Sequence, residues 1–368
     1  MKLKTKKQNK LISALRFSGF LSAWEEKKLG EVFTDIKSGK DKPEIFGNYP
    51  VYGSTGEIGK STKFSFKGDY ILIARVGANA GQINKVSGQF AVTDNTLVLE
   101  GKNDNNIDFF FNYLKSKNIN RLVFGSGQPL VTSGHLKKLK VIIPVAKEQQ
   151  KIATFLTSVD NWIENLREQK KNLQQYKKGM MQKIFSQEIR FKDEKGNDYS
   201  ACVEMKLGKI CRIKTGKLDA NAMIKDGKYR FYTCAKEWYK IDKYAFDAEA
   251  LLISDNGANV GYIHYYKGKF NAYQRTYVLD EFSEDIFYIK YLLEKKLHIR
   301  IVKEKKEGNT PYIVLSTLSE MGISLPCLEE QQKIANFLSS LDNLIELKQK
   351  QIINAEQWKK GLMQGLFV

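Results

Sequence analysis

The chain has few of the residues from which metal sites and disulfide frameworks are built. Only four cysteines and three histidines occur in 368 residues, and no two cysteines form a C-x-x-C pair. They are Cys202, Cys211, Cys234 and Cys327, with His135, His264 and His298. A disulfide framework or a zinc ribbon requires regular, close spacing of such residues. We therefore expect reduced cysteines and no bound metal.

Proline is also scarce, and the usual catalytic motifs are missing. The six prolines include no adjacent pair, which excludes the N-P-P-Y or D-P-P-Y tetrad of amino-methyltransferases. No G-x-G-x-x-G, H-E-x-x-H or G-x-S-x-G sequence occurs. The stretch GSTGEIGKST, residues 53–62, approaches a phosphate-binding P-loop, but Ser54 occupies the position of its first glycine. We predict a turn there, and no catalytic centre in this chain.

Long apolar runs are absent as well. No run approaches the ~18 apolar residues of a transmembrane helix. The basic start MKLKTKKQNKLISALRF is not followed by an apolar segment of signal-peptide length. Hydrophobic residues nevertheless make up 42% of the chain, which is enough to form buried cores. These features predict a cytoplasmic protein with folded domains.

Positive charge is present in excess. The 60 lysines and arginines exceed the 41 acidic residues and give a formal net charge of +19. A polyanion such as DNA favours such a surplus because binding releases its counterions. The alternative is a generally lysine-rich composition, since only nine of the 60 are arginine. Charge alone therefore favours nucleic-acid binding without establishing it.

The chain also contains an internal duplication. Residues Glu148–Phe185 and Glu330–Phe367 align without a gap, with 22 identities in 38 positions. Upstream, KKLGEVFTDIKSGK matches MKLGKICRIKTGK, ILIARVGANAG matches LLISDNGANVG, FAVTDNTLVL matches FNAYQRTYVL, and HLKKLKVIIP matches TLSEMGISLP. A period of about 180 residues is far longer than a solenoid unit. We predict two domains of class α/β (α+β), each followed by one long helix.

Within each domain the pattern indicates short strands and one helix. DYILIARVG and EALLISDNG are apolar runs ended by glycine, and TLVLE and TYVLD alternate as strands do. DFFFNYLKSKNINRLV and DIFYIKYLLEKKLHIRIV each indicate a helix. The long helices are close copies, whereas the domain interiors share mainly glycines and strand residues. This difference in similarity predicts that the two helices have the same role and that the two domains act on different targets.

The two long segments are predicted to form a coiled coil. Apolar residues recur every seven positions, and a second set lies three positions after the first. The first copy has Ile152, Val159, Leu166, Leu173 and Met180, with Phe155, Trp162 and Tyr176; the second has Ile334, Leu341, Ala355 and Leu362, with Phe337, Leu344 and Trp358. Each could instead be a core helix of its own domain. Because so long an apolar stripe needs a partner, we predict antiparallel pairing of the two helices, with the domains at opposite ends.

These motifs resemble a known family. Both copies read EQQKIAxFLxSxDNxI after a proline and close on KKGxMQxxF, and FSGFLSAWEEKKLGEVF leads into the first domain. A chain of this kind is similar to the specificity (S) subunit of type I restriction–modification systems. The second domain departs from the pattern, since SACVEMKLG lacks a tryptophan equivalent to Trp24. The resemblance implies target-recognition domains at 1–146 and 191–328, a central long helix at 147–190, and a C-terminal long helix at 329–368.

The resemblance also implies a function. Each recognition domain would read one half of a split, asymmetric double-stranded DNA target, and the helices would set the spacing. Two methyltransferase (M) subunits carrying S-adenosylmethionine would dock on the helices. Two restriction (R) subunits, using ATP and Mg, would join them. The S-subunit chain itself would have no catalytic residue, metal or cofactor.

Loop residues are the candidates for contacting DNA. For phosphates they are Lys60, Lys63, Lys85, Lys236, Lys240 and Lys267; for base edges they are Arg75, Asn79, Asn95 and Gln128 in the first domain and Asp255, Asn259, Arg275 and Asn309 in the second. Arginine suits guanine, an amide suits adenine and aspartate suits cytosine. Alternatively, each is merely solvated. Asn79 and Asn259 could serve turn geometry, and the glycines around them are expected to set the backbone shape.

The starts of the long helices are the candidate docking points for the M subunits. Glu148 and Gln149 occupy the first turn of one helix, and Glu330 and Gln331 the first turn of the other. Helix capping and the helix dipole would explain the same residues without a partner.

Two other functions stay open at this point. One is a self-contained methyltransferase, which the missing motifs disfavour, and the other is a coiled-coil DNA-binding scaffold without sequence specificity.

Overall fold

The computed structural model describes residues 13–102, 105–122, 129–304 and 312–367. The strands of this part are β1 (Glu25–Lys28), β2 (Phe33–Ser38), β3 (Tyr49–Gly53), β4 (Gly56–Ser61), β5 (Phe66–Ala74), β6 (Ile83–Val92), β7 (Thr96–Gly101), β8 (Lys140–Ile143), β9 (Val203–Lys206), β10 (Arg212–Thr215), β11 (Tyr229–Tyr232), β12 (Tyr239–Ile241), β13 (Phe246–Ser254), β14 (Ile263–Ala272), β15 (Thr276–Asp280) and β16 (Gly322–Leu325). The helices are α1 (Leu29–Val32), α2 (Ile107–Ser116), α3 (Ser133–Lys138), α4 (Ala146–Phe185), α5 (Leu207–Ile210), α6 (Ile286–Glu304), α7 (Leu315–Ser319) and α8 (Leu328–Leu366).

The chain divides into two compact units. Unit 1 consists of Met1–Arg167 with Lys350–Val368, and unit 2 of Glu168–Gln349. The two long helices predicted from the repeat are α4 and α8, of 40 and 39 residues. Each unit therefore contains one sheet domain and a portion of both long helices.

Unit 1 is built on a six-stranded mixed sheet in the order β2-β7-β5-β6-β3-β4. β3 and β6 are parallel, and the other neighbouring strands are antiparallel. Successive residues of β5 point to opposite faces: Ile71 and Ile73 pack with Phe109 and Phe110 of α2, and Leu72 packs in a cluster on the other face. Burial on both faces explains why this strand is a continuous apolar run in the sequence.

Unit 2 repeats this architecture strand for strand. Its sheet has the order β10-β15-β13-β14-β11-β12, and β11 and β14 are its parallel pair. Each unit also has a separate two-stranded ladder, β1 with β8 in unit 1 and β9 with β16 in unit 2. The predicted domain helices are α2 and α6. Both begin after a capping side chain: Asn106 accepts from Phe109 N, and Asp285 accepts from Tyr288 N. The duplication in the sequence is thus a duplication of fold.

The stretch that approaches a P-loop is a hairpin. GSTGEIGKST covers the end of β3, a turn and most of β4. Gly53 is paired with Gly56 across the turn. The predicted turn is confirmed.

The long helices run antiparallel within each unit, as predicted. In unit 1 the hydrogen-bonded pairs are Asp160 with Lys359 and Arg167 with Glu356; in unit 2 they are Lys170 with Gln349 and Lys177 with Asp342, all at 2.5–2.6 Å. In each unit the residue number on α8 falls as the residue number on α4 rises, which shows that the two helices run in opposite directions. Asp342 and Lys177 are the repeat equivalents of Asp160 and Lys359, so one ion pair occurs twice.

The seam between the helices differs from the prediction in one respect. The first heptad set is buried at Ile152, Val159, Leu166, Ile334, Leu341 and Ala355, as predicted. Several residues of the second set are half-exposed, namely Trp162 (49%), Tyr176 (52%), Leu344 (44%) and Trp358 (49%). Burial continues four positions after the first set instead of three, at Leu156, Ile163, Leu338 and Ile352. In a helix with 3.6 residues per turn, the positions three and four residues after the first set lie on opposite sides of the same apolar stripe. The repeat therefore did not reveal which of the two sides faces the neighbouring helix.

Two equivalent glycines permit a close backbone approach in the sheets. A Cβ at Gly39 would lie 1.9 Å from Val92 O, and one at Gly216 would lie 1.9 Å from Ala272 O. We expect G39A and G216A each to lower the free energy of unfolding by about 1–3 kcal/mol, because the opposing backbone must move. Urea denaturation followed by circular dichroism measures this.

Gly179 provides the matched control. A Cβ at this position of α4 meets nothing within 4 Å. G179A should leave stability unchanged or raise it by up to about 1 kcal/mol through helix propensity. Equal stabilities for G216A and G179A would contradict the close approach.

Candidate nucleic-acid interface

The predicted base-contacting residues of unit 1 lie on one loop frame. Arg75 follows β5, and its N–H donates to Asn95 O between β6 and β7 (2.9 Å). Its carbonyl accepts from Val131 N (2.8 Å). Asn79 lies in the same loop, and its carbonyl accepts from Gln82 N (2.9 Å). The structure therefore brings Arg75, Asn79 and Asn95 together at one end of the sheet.

Unit 2 builds the same frame with different side chains. Asp255 N donates to Arg275 O (3.1 Å), and Asp255 O accepts from Ile313 N (2.7 Å). Asn259 O accepts from Tyr262 N (3.0 Å), as its equivalent does in unit 1. The backbone bonds repeat while the side chains do not: Arg75 is replaced by Asp255, and Asn95 by Arg275.

Glycines shape both loops, as expected. Gly77 and Gly257 have φ of 79° and 76°, and Gly81 and Gly261 have φ of 88° and 79°. These left-handed conformations favour glycine because it lacks a Cβ. The side chain of Asn259 also has a local role, since its Nδ2 donates to Cys234 O (2.9 Å).

Asp255 is placed differently from its equivalent. Arg75 is half-buried with Nη1 3.4 Å from Asp94 O, and Asn95 and Arg275 are exposed. Asp255 is only 7% exposed, and its Oδ1 has no hydrogen-bond partner among the described residues. Burial raises the pKa of the Asp255 carboxyl to about 6, against the opposing influence of the Arg275 guanidinium. In this conformation the side chain of Arg275, rather than that of Asp255, is exposed to solvent.

Cys234 and His264 adjoin this loop in neutral form. The Cys234 thiol donates to Arg275 O (3.0 Å), and a ring nitrogen of His264 lies 3.0 Å from Ala235 O. Burial raises the pKa of the Cys234 thiol and lowers the pKa of the His264 imidazole. Both groups are uncharged at neutral pH and serve the packing of the loop.

The lysines predicted to meet phosphates lie on the surface, but the prediction that all of them are loop residues is wrong. Four belong to strands, namely Lys60 (β4), Lys85 (β6), Lys240 (β12) and Lys267 (β14), because exposed lysines also alternate with inward-facing residues along a strand. Lys60, Lys63, Lys236 and Lys240 are exposed. Lys85 forms an ion pair with Asp108, and Lys267 lies 3.1 Å from Glu249. These exposed pairs cost little to separate, so all six lysines are accessible to an anion. Gln128 and Asn309, predicted from the sequence to contact bases, lie outside the described residues.

The helix-start residues predicted to dock a partner are buried. Glu148, Gln149, Glu330 and Gln331 are each at most 2% exposed. Gln149 Nε2 donates to Pro144 O (3.0 Å), and Gln331 Nε2 donates to Pro326 O (2.9 Å). The glutamate and glutamine side chains thus bond within their own unit, and the neighbouring exposed side chains are the ones available to a partner.

Two arginines that the sequence analysis missed hold these glutamates. Arg16 donates to both carboxylate oxygens of Glu148 (2.8 Å each). Arg190 does the same for Glu330 (3.2 and 2.5 Å). A phenylalanine follows each arginine and packs against a long helix: Phe17 lies edge-on to Phe155, and the ring of Phe191 is tilted against that of Phe337. The Arg-Phe dipeptide occurs at both positions of the sequence, and this repetition was the signal from which the two arginines could have been identified.

The described residues contain no cluster of three or more candidate metal ligands. Their four cysteines are free. No described helix is both long and apolar enough to span a membrane.

Comparison with known proteins agrees with this architecture. The family model for the type I restriction modification DNA specificity domain matches twice, at residues 22–175 and 200–357. The specificity subunit of the Escherichia coli type I restriction enzyme EcoDI is 36% identical over 163 residues, covering 44% of this chain and 36% of that relative. The MjaVIII specificity subunit of Methanocaldococcus jannaschii is 27% identical over 398 aligned positions, covering 93% of this chain and 92% of that relative.

Solved structures show the same fold. The type I restriction–modification S subunit from M. genitalium superposes with a TM-score of 0.65 at 19% identity, covering 97% of this chain and 99% of that one. A chain from a structural study of type I restriction–modification complex assembly gives 0.58 at 17% identity, covering 95% and 99%.

Two sheet domains with matching loop frames, each joined to paired long helices, define a two-module recognition protein. The chain belongs to the type I restriction modification DNA specificity family, whose domain it contains twice. It is a DNA-recognition subunit and not an enzyme.

The buried carboxyl predicts a pH-dependent effect of Asp255→Asn. The folded pKa of about 6 exceeds the ordinary value of 3.8, so folding takes up a proton between these values. The contribution of Asp255 to the stability of the wild type should therefore fall as pH rises from 3.8 to 6 and stay lowered above it. D255N escapes this loss and should be more stable by up to about 3 kcal/mol at pH 7.5.

The measurement is urea denaturation at pH 3.5 and 7.5. The advantage of D255N should nearly disappear at pH 3.5, where the aspartic acid is protonated in the folded state and mostly protonated in the unfolded state. Asp94→Asn changes an exposed loop carboxylate in unit 1 and should have little effect at either pH. A D255N effect that is the same at both pH values would contradict the buried ionisation.

Proposed function

We propose that this chain is the DNA sequence-specificity subunit of a type I restriction–modification complex and that each unit reads one half of a split, asymmetric target. The observation that carries the proposal is the repeated loop frame, which holds Arg75 and Asn95 in unit 1 but Asp255 and Arg275 in unit 2. A common backbone holds these positions alike, whereas the side chains that reach the surface differ, and different side chains suit different bases. A net charge of +19 supplies the non-specific attraction to DNA.

We assign residues 1–146 and 191–328 to DNA recognition. Residues 147–190 and 329–368, which contain all but the first residue of α4 and of α8, would set the spacing of the half-sites and dock the partners. S-adenosylmethionine would be carried by the methyltransferase subunits, and ATP with Mg by restriction subunits where these are present. The complex would act on cellular DNA in the cytoplasm.

Exposed apolar residues on the long helices support docking of two methyltransferase subunits. Trp162 and Trp358 pack edge-on in unit 1, with ring centroids 6.2 Å apart, and both are half-exposed. Their repeat equivalents in unit 2, Leu344 and Tyr176, are exposed to a similar extent. Large apolar and aromatic side chains that remain exposed beside a buried seam are typical of protein interfaces. Two equivalent patches fit two copies of one partner.

The half-site assignment is tested by substituting one loop at a time. R275A should relax or abolish recognition in one half of the methylated motif and leave the other half unchanged. R75A should affect only the opposite half. Loss of one good base contact corresponds to about 1–3 kcal/mol of discrimination. Single-molecule methylome sequencing of a host that expresses each variant with its methyltransferase subunit gives the motif directly.

Lys195→Ala, which removes an exposed charge far along the chain from the loops, is the control and should leave the motif unchanged. A wild type that yields no bipartite motif would favour a non-specific scaffold. Changes in both halves from one substitution would contradict one domain per half-site. Methyl transfer by the isolated chain with labelled S-adenosylmethionine would indicate a self-contained enzyme.

The docking patches predict a change in stoichiometry. W162A/W358A should reduce the complex from two methyltransferase subunits to one, because the patch in unit 2 remains. Y176A/L344A should also leave one, and the quadruple variant none. Loss of an aromatic hot spot costs about 2 kcal/mol or more, roughly 30-fold in affinity. Native mass spectrometry counts the subunits, and Leu21→Ala, at another exposed apolar residue, is the control. Two subunits bound to the quadruple variant would place docking elsewhere.

A further inference from the structure

Unit 2 carries an arginine that is held between two aromatic rings. The guanidinium of Arg230, on β11, lies 4.6 Å from the ring centroid of Trp238 and 4.4 Å from that of Tyr266. Trp238 precedes β12 and is exposed, and Tyr266 belongs to β14. Stacking restrains the guanidinium, and its Nη1 also donates to the Tyr232 hydroxyl (3.3 Å), while its remaining N–H groups can donate to a ligand. This arrangement presents an oriented, forked donor before any ligand arrives.

Further cations surround Arg230. Lys240 is its cross-strand neighbour on β12 and is exposed. Lys228 lies over Tyr229 and Lys269 over Tyr244, and these two tyrosines pack edge-on at 5.0 Å. The cation cluster, defined as Lys228, Arg230, Lys240 and Lys269, lines one open hollow with Trp238 and Tyr266.

The cation cluster has little acidic compensation. Among the described residues, the sole carboxylate within 4.0 Å of any of its charged groups is Asp247, at 4.0 Å from Lys269 Nζ. Four like charges in one hollow repel each other. An anion bound there would relieve that repulsion and use the forked donor of Arg230.

Unit 1 has no equivalent of this cluster. Strand pairing aligns Arg230 with Pro50 and Tyr266 with Val86. The same alignment replaces Lys228 by Asn48 and Lys269 by Gln89, and Lys240 alone has a counterpart, Lys60. The connections between the equivalent strands also differ. In unit 1 a tight turn at residues 54–55 joins β3 to β4, whereas in unit 2 residues 233–238 join β11 to β12. The cluster is a property of the second recognition domain only.

The connection at residues 233–238 ties the cluster to the recognition loop. It leads from β11 to Trp238, and on the way Cys234 O accepts from Asn259 Nδ2 and the Cys234 thiol donates to Arg275 O. The same short segment therefore supports Arg275 at one end and Trp238 at the other.

We propose that the cation cluster is a DNA phosphate-binding site that belongs to the second recognition domain alone, with Arg230 as its principal donor. The proposal rests on the proposed function, since it takes DNA as the ligand. Phosphate fits better than a base edge because the site is an open hollow with four cations, and phosphate contacts carry most of the hydrogen bonds in protein–DNA interfaces. The second half-site would consequently be bound with a stronger salt dependence than the first.

The test compares R230A with wild type in the complex with methyltransferase subunits, on a duplex that contains the methylated motif. Binding at physiological salt should weaken about 10-fold, and the slope of log K against log salt should decrease by about one. The motif should stay the same. R230K keeps the charge but loses the stacked fork, so its affinity should be intermediate. K195A removes one exposed charge elsewhere in unit 2 and serves as the control.

Three outcomes would overturn the proposal: R230A indistinguishable from K195A, an unchanged salt slope, or relaxed specificity at one base position, which would make Arg230 a base reader. If R230A fails to fold by thermal melting, K240A tests the same site through an exposed residue and should also reduce the slope. Failure of the wild-type complex to select a bipartite motif would contradict the proposed function itself and is therefore distinguishable from failure at Arg230.

Discussion

Burial of the apolar stripe shared by α4 and α8 is the constraint on which both units depend. In unit 1 Val159 and Ile163 pack with Ile352 and Ala355, and the sheet shares its core with Ile152 and Leu366. Sheet and helix are therefore parts of one core. The contacts are also distant in sequence, since Asp160 and Lys359 are 199 residues apart. Residues 1–146 alone lack the helices that complete their core, so unit 1 closes only through non-local pairing.

The duplication separates what supports the fold from what recognises a ligand. Interactions that occur in both copies are structural: Arg16 with Glu148 and Arg190 with Glu330, or Asp160 with Lys359 and Asp342 with Lys177. Removing one member of the buried Arg–Glu pairs would leave a charge without compensation, which is far more costly than the pair is stabilising. Positions that differ between the copies, such as Arg75 and Asp255, lie instead on the loop frame. The interactions that hold the fold together are thus alike in both copies, while the side chains of the loop frame differ.

Local pattern predicted most of the fold and less of the site. Apolar runs identified β5 and β13, and the heptads identified α4 and α8, because both signals come from residues near each other in sequence. The side of the stripe on which Trp162 lies was beyond that signal, since positions three and four later are both compatible with it. Arg16 and Arg190 contact glutamates 132 and 140 residues away. The surroundings of Arg230 are contributed by three separate elements, and no linear pattern brings them together.

The burial of Asp255 shows how one frame can serve two targets. Arg75 and Asp255 have the same backbone partners, yet the first reaches toward the surface and the second is enclosed, because an aspartate is too short to leave the loop that its carbonyl and N–H anchor. The exposed cation at this end of unit 2 comes from Arg275, at the position where unit 1 has Asn95. A positive side chain is therefore present at this end of both units but comes from different loops, the one after β5 in unit 1 and the one between β14 and β15 in unit 2. Exchanging residues within the frame moves the exposed cation without changing the backbone, so the surface of the frame can diverge while the fold and the paired helices remain constant.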